Sequence, residues 1–562
     1  SRGDLRLERI GEALDVYERQ GFKTTCMLMI TPSRTPLWAL PGGKRDQGGE
    51  TALSRDTEAF GQFIEQIARR YGPRFAHYSF CCEINLLAQR LERGLEGYVD
   101  LTKGGAEAIR RVQPNAIIGG IGVSGGDARH TPRFPVARKL WEQLHAHHDG
   151  FFFDTYASPR YYGEGLRVVE PEENDLVGIL RDAVALVRQY GPDKKVAIEE
   201  KGWAIDTRLP VDAPAAVAMA RCLTRSFLLA RSVDDVEHYM WFQLDSGHAE
   251  GDFSYSLFRH EGDALNPRPG AAAYGAVAQL LAGATTPRRI ALHKDLYAIT
   301  FAHGDGSRAA VWTPLDTPVL LNCKLPSGTR VTSMLSAPFA VEGGALALSK
   351  EPLFLWAPDV ARQTLDRALG AGTFELPCVA LEMRLLRRDT VAVRVRSLLK
   401  GNMKGELELE APAGWRIPEC RRAVRLAADQ TAEVKFHAER DGEIATRPGR
   451  FRVRWTAPGR GDVRAETAPT VLAVKRMVKP PQIDGHLAEF ANLPPINLDG
   501  QTYLDPPDAP SAKLWTGIDD LSATLYTAWD DDCFYFAARG RDDTFVQERT
   551  GSGIWANDSF QL

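Results

Sequence analysis

No stretch of the chain approaches the roughly 18 consecutive apolar residues of a membrane-spanning helix, so no membrane span is expected. No C-x-x-C pair or zinc-ligand spacing occurs among Cys26, Cys81, Cys82, Cys222, Cys323, Cys378, Cys420 and Cys533. Buried free thiols are therefore expected, even at Cys378 and Cys420, which one β-domain could bring together. An excess of one charge is missing too. Basic residues number 69 and acidic residues 73, and no basic patch stands out, which argues against a nucleic-acid partner. No Lys-Ser/Thr follows the Gly-rich "GGIGVSGG", which reads as a strand with its turn and not as a phosphate cradle. "HAHHDG" (His145 to Gly150) has no partner cluster in the sequence and reads as a helix-terminal loop, so no metal ligand is assigned. Helical and propeller repeats are absent. At 562 residues the chain is too long for one hydrophobic core, and about three or four domains are expected.

What is present, up to about residue 285, is an alternation of two hydrophobic periods. Leu7, Ile10, Leu14 and Tyr17 follow helical spacing, and so do Phe60, Phe63, Ile64, Ile67 and Tyr71. Between and after them come short apolar runs of strand length: "TTCMLMI", "AHYSFCCEIN", "NAIIGGIGVSG", "GFFFDTY", "KVAIEE" and "EHYMWFQL". Runs of this kind are buried on both faces, and helices between them imply parallel pairing. Six β-α units fit a doubly wound sheet or a (β/α)8 barrel. Polar and aromatic residues collect after the strand ends: Glu83 and Asn85, Asp154 and Tyr156, Glu200 and Trp203, Gln243 and Asp245. A ring of chemistry drawn from several strand C-termini favours the barrel.

From about residue 286 helical periodicity fades. Residues 286–360 read as a β-sandwich, residues 361–475 as an Ig-like sandwich with strictly alternating strands such as "VAVRVRSL", and residues 476–562 as a further β-module. The fold class is thus multidomain: an α/β barrel followed by β-sandwiches.

Glu83 and Glu200 each end a strand, about three strands apart. A lone glutamate in such a place is most often a solvated loop residue. Two facing each other across a barrel mouth can perform retaining glycoside hydrolysis, one protonating the leaving oxygen and the other attacking the anomeric carbon. The acid needs a raised pKa and the nucleophile must stay ionised. Alternation along "VAIEEKGW" (Val196 to Trp203) allows only one of its two glutamates to face the mouth, and Glu200 is selected. Glu199 is then expected toward the helices or the strand's polar end, beside a cation.

"HYSFCCEINLL" and "VAIEEKGW" resemble the strand-4 and strand-7 segments of clan A glycoside hydrolases, family 39 above all. "MLMITPSRTPLW", "HYMWFQL" and "NPRPGAAAYGAVAQLLAG" agree with the same pattern over residues 1–285. The resemblance implies that Glu83 is the acid/base and Glu200 the nucleophile. It also implies Tyr156 near the nucleophile, Trp241 as a floor for the sugar, Trp203 and Trp38 at its edges, and Asn85 among the substrate-binding residues. Strands 1 and 2 of the barrel, with a signal for secretion or periplasmic export, would then precede Ser1. The sequence departs from the pattern at Cys82, where the family has Asn, at Ile84 for Pro, at Asp154 for His and at Glu199 for Thr. These departures keep a non-catalytic, glycan-binding barrel open as the alternative, and a lyase as a third.

The C-terminal segments "QIDGHLAEF", "LWTGIDDLSATLYTAWDDDCFYFAARGRDDTF" and "WANDSFQL" are similar to family 9-type carbohydrate-binding modules. That similarity implies sugar binding and a structural calcium, for which Asp530, Asp531 and Asp532 are the candidates; a solvated turn is the simpler reading of the run. Catalysis needs no cofactor on this reading, and the expected partner is a poly- or oligosaccharide.

Overall fold

The computed structural model describes residues 7–28, 57–80, 83–87, 94–128, 130–154, 169–206, 211, 213–245, 253–261, 264–304, 306–341, 343–387, 389–440, 450–467, 475–493, 495–498 and 516–544. Tyr156, Trp38, Cys82, Trp515 and Trp555 lie outside these residues.

The first unit runs α1 (Glu8–Arg19), β1 (Thr24–Leu28), α2 (Thr57–Tyr71), β2 (Phe75–Phe80), α3 (Ile84–Leu87), α4 (Gly94–Val112), α5 (Gly125–Ala128), α6 (Pro135–Leu144), β3 (Gly150–Asp154) and α7 (Leu176–Arg188). It continues with β4 (Lys195–Lys201), β5 (Ile205–Asp206), α8 (Pro214–Arg231), β6 (Val236–Trp241), β7 (Phe253–Ser254), β8 (Phe258–Glu261), β9 (Ala264–Pro267) and α9 (Pro269–Leu281). The helices form where the apolar spacing places them: Leu14 on α1, and Ile64, Ile67 and Tyr71 on α2, are buried.

β1 pairs with β2, β3 with β4 and β4 with β6, all parallel. The segment 115–123 joins the two groups. Tyr78 N–H donates to Ile117 O and Gly119 N–H to Tyr78 O, while Phe152 N–H donates to Gly120 O and Asp154 N–H to Val123 O. It forms only one ladder bridge, Tyr78 to Ile118. Gly119 leaves room for the Phe152 ring, which any Cβ there would strike, and Ile121 sits at φ 62° in the left-handed region, so a regular strand stops.

The order is therefore sequential and parallel throughout, without the switch point of a doubly wound sheet. Side chains from alternate strands meet inside it: His77 of β2, Phe152 of β3 and His238 of β6 lie with ring centroids 4.4–5.0 Å apart. Layers built from alternate strands are the interior packing of a barrel. Among the described residues the arc stays open, because β1 and β6 each have one strand neighbour. Both are only half-buried along most of their length, unlike β3. No helix among the described residues is long and apolar enough to cross a membrane.

The second unit stacks a five-stranded sheet, with Tyr297–His303 and Gly306–Trp312 inside it, on a three-stranded one. Its two-residue periodicity sorts the larger sheet's faces. Ile299, Phe301, Ala310, Trp312 and Phe354 share a core with Met219, Leu223 and Val277 of α8 and α9, whereas Ala298, Ala309, Val311 and Leu355 fill the sandwich. The three-stranded sheet gains its last strand, Thr373–Phe374, beyond the expected end at 360. The third unit has sheets of three and four strands around Leu407, Phe436 and Trp455. Arg396 clasps Asp295 across the junction between these two sandwiches, at 2.8 and 3.2 Å. Cys378 and Cys420 are free.

In the fourth unit, the strands Leu521–Trp529 and Phe534–Asp542 form a hairpin whose turn holds the aspartate run. Asp530 accepts from the backbone N–H of Asp532 and Cys533 and from the Tyr535 hydroxyl, and Asp531 pairs with Arg476. These carboxylates cap and brace a turn.

Candidate active site

The carboxylates meet where β2, β3 and β4 end. Glu83 follows β2 at φ 52°, a left-handed conformation that costs a non-glycine residue on the order of 1 kcal/mol. The next residue is tied down, Ile84 N–H donating to Gly122 O at 2.8 Å. Glu200 stands at the end of β4 opposite Asp154 of β3. The three groups sense one another. Burial raises the Glu83 pKa, and the Glu200 charge raises it further. Asp154 is wholly buried, and its pKa is held well above the usual aspartate value by that burial and then by the charges of Glu200, Glu199 and Glu83. The Glu83 backbone amide opposes this shift. Asp154 thus keeps its proton at a pH where an ordinary aspartate has lost it.

Glu199 faces inward, which corrects the expectation that it turns toward the helices: Ala197, level with the interior Phe152 and His238, lies two residues before it, and strict alternation fails only at Glu200. The β3–β4 ladder steps from Phe153–Ile198 to Asp154–Glu200, and the β4–β6 ladder from Ile198–Tyr239 to Lys201–Trp241. Irregularities of this kind rotate consecutive side chains off the two-face pattern. Glu199 is buried inside the arc, its Oε2 accepting from the Ser79 hydroxyl at 2.6 Å and its Oε1 lying 3.5 Å from His77 Nε2. The cation that does sit on this strand, Lys201, lies 4.5 Å over the Trp203 ring.

The other expected residues divide. Trp203 is wholly buried and donates its indole N–H to Val169 O at 3.0 Å, so it presents no ring face at the edge of a sugar site. Trp241 stacks on it at 5.8 Å between centroids, remains half-buried, and donates to Tyr255 O. Asn85 also departs from the substrate-binding expectation: its Oδ1 accepts from Ser124 N–H at 2.7 Å and its Nδ2 donates to Ser124 Oγ at 3.3 Å. It clamps α3 to the end of segment 115–123. Tyr156 and Trp38 fall outside the described residues.

Tyr255 is a residue that no sequence motif singled out. Burial and then the charge of nearby Glu83 raise its hydroxyl pKa. Gly202 makes the approach possible, because a Cβ there would lie 2.2 Å from Phe242 O and 2.6 Å from the Tyr255 ring.

No protein-family model matches the chain, and no curated protein matches it. Solved structures do. A family 39 glycoside hydrolase from Bacteroides cellulosilyticus WH2 is similar at 18% identity and a TM-score of 0.48, over 63% of this chain and 72% of its own. A glucosidase from Croceicoccus marinus is similar at 14% identity and a TM-score of 0.42, over 79% and 84%. A family 39 β-xylosidase from Caulobacter crescentus is similar at 15% identity and a TM-score of 0.39, over 62% and 82%. Likeness at these scores decides nothing about the chemistry, which has to come from the residues themselves.

Proposed function

We propose that the chain is a retaining glycoside hydrolase acting on a poly- or oligosaccharide, its arc forming part of a (β/α)8 barrel. The observation that carries the reading is the pairing of Glu83 with Glu200: two carboxylates from strand ends three strands apart, the first with its pKa raised by burial and by the charge of the second. Glu83 donates its proton to the glycosidic oxygen while a Glu200 oxygen bonds to the anomeric carbon, and the leaving alcohol departs. Glu83, now a carboxylate, takes a proton from water. The water oxygen bonds to the anomeric carbon, the bond to Glu200 breaks, and the sugar leaves with its original anomeric configuration. Neutral Asp154 keeps a further negative charge away from the incoming nucleophile, and Trp241 offers an aromatic surface for the sugar's C–H face.

A non-catalytic glycan-binding role is the second reading. What favours it is that Trp203 is buried and Asn85 bonds Ser124 through both ends of its amide, which weakens two of the expected sugar contacts. Proton NMR of an aryl-glycoside digest separates the readings. Hydrolysis should release the sugar first in the anomeric form of the substrate; release as the opposite anomer refutes the retaining mechanism, and no turnover on any glycoside favours the binding role. For the C-terminal unit we propose glycan anchoring, on its motif similarity alone; retention of the isolated segment on insoluble polysaccharide is the test.

A further inference from the structure

We propose that His77, Glu199 and His238 form a binding site for one divalent transition-metal ion, zinc by donor type, inside the strand arc. His77 comes from β2, Glu199 from β4 and His238 from β6, so three separate strands converge on one point. One ligand-type atom from each lies within 4.8 Å of the others. His77 Nε2 and Glu199 Oε1 are 3.5 Å apart. Two ligands about 2.1 Å from a tetrahedral zinc stand about 3.4 Å apart, so this edge of the site already has the right length. The site is also short of partners. Glu199 Oε1 and His238 Nε2 are buried atoms with no hydrogen-bond partner among the described residues. Glu199 is held in place from its other oxygen by Ser79, and the Thr25 hydroxyl, 2.9 Å from His77 Nε2, is the contact an ion would displace. A buried carboxylate facing two imidazoles with one hydroxyl donor is a costly arrangement for the bare protein, and a cation relieves it. Two His and one Glu leave a fourth position open, as zinc accepts.

Glu199 adjoins Glu200, so a bound ion would fix the strand end on which the proposed nucleophile stands. Metal binding itself is read without turnover, so its failure is distinct from failure of the hydrolase reading. The full chain, stripped by chelator, is titrated with Zn2+ by calorimetry and with Co2+ by visible absorption. One ion per chain is expected, with the intense cobalt bands of a four-coordinate site. Affinity should fall at least about tenfold in His238→Phe and in Glu199→Gln, the latter keeping its shape and an acceptor for Ser79. His147→Ala, in the "HAHHDG" segment between α6 and β3, should leave it unchanged. No stoichiometric uptake, a six-coordinate cobalt spectrum, unchanged affinity in both variants, or loss in His147→Ala overturns the proposal. Should the variants not fold, X-ray absorption of the zinc-loaded wild-type chain decides. Nitrogen ligands at about 2.0–2.1 Å support the site, and an all-oxygen shell overturns it.

Discussion

Ser79 of β2 and Glu199 of β4 are separated by segment 115–123 and β3, yet the Ser79 hydroxyl donates to Glu199 Oε2 at 2.6 Å. Neighbouring strands are about 4.8 Å apart, so three steps along a flat sheet would separate these residues by about 14 Å. A bond between them requires the sheet to curl and makes Glu199 an interior residue. The same curl brings the end of β2 toward the end of β4, where Glu83 and Glu200 interact.

Removing the proposed acid should leave a specific defect. Glu83→Gln should lower kcat/KM on substrates with poor leaving groups by about 10²–10⁴-fold. With an activated aryl glycoside, azide should restore turnover, since an anionic nucleophile needs no base. The alkaline limb of the wild-type pH profile, set by loss of the Glu83 proton, should vanish in this variant. An unchanged alkaline limb would assign it to another group.

Asp154 makes stability depend on pH. Its pKa is raised in the folded chain, so the folded state binds the proton more tightly than the unfolded one. The stability it contributes is complete below about pH 4 and is lost as pH rises through the folded value, at about 1.4 kcal/mol per unit of displacement. Wild type should therefore lose melting temperature relative to Asp154→Asn between pH 4 and pH 8. A gain over that range would show that Asp154 is stabilised as a carboxylate.

The two stacked tryptophans should respond differently. Trp203→Ala opens a cavity in a full core and should cost about 3–5 kcal/mol, measured by denaturant unfolding. Trp241→Ala should fold and raise KM roughly tenfold with kcat nearly kept, as expected for lost uniform binding of a sugar face. A Trp241 variant with unaltered KM would remove that residue from the substrate site.

Arg225 is wholly buried on α8, paired with Glu170 and, at 3.2 Å, with Glu172, whose Oε1 accepts from the Trp312 indole of the second unit. Arg225→Ala takes the buried cation from between the two carboxylates, leaving Glu170 to Arg221 at 2.8 Å, and should destabilise the first two units by about 3–5 kcal/mol. Calorimetry should show their transition shifted while that of the Ig-like unit stays in place. Equal shifts of both would indicate that the units unfold together.

The architecture was legible because parallel strands buried on both faces leave continuous apolar runs, and "GFFFD" and "KVAIE" became β3 and β4 where those runs stand. The region of Glu83 and Glu200 was legible because polar residues gather where such runs end. Glu199 was misread because a ladder irregularity is invisible to a two-residue period. Asn85 and Trp203 looked like sugar ligands, but their partners Ser124 and Val169 are set by tertiary packing. His77 and His238 carry no shared motif, and only the curl of the sheet stacks them at 4.4 Å.

Trapping the glycosyl-enzyme tests the central claim most directly. A 2-deoxy-2-fluoro glycoside with an activated leaving group, incubated with the full chain and followed by peptide mass spectrometry, should leave one sugar on the peptide containing "VAIEEKGW", attached to Glu200 and absent in Glu200→Gln. A sugar attached to Glu199 or to another peptide, or hydrolysis that survives Glu200→Gln, would contradict the assignment of Glu200 as nucleophile.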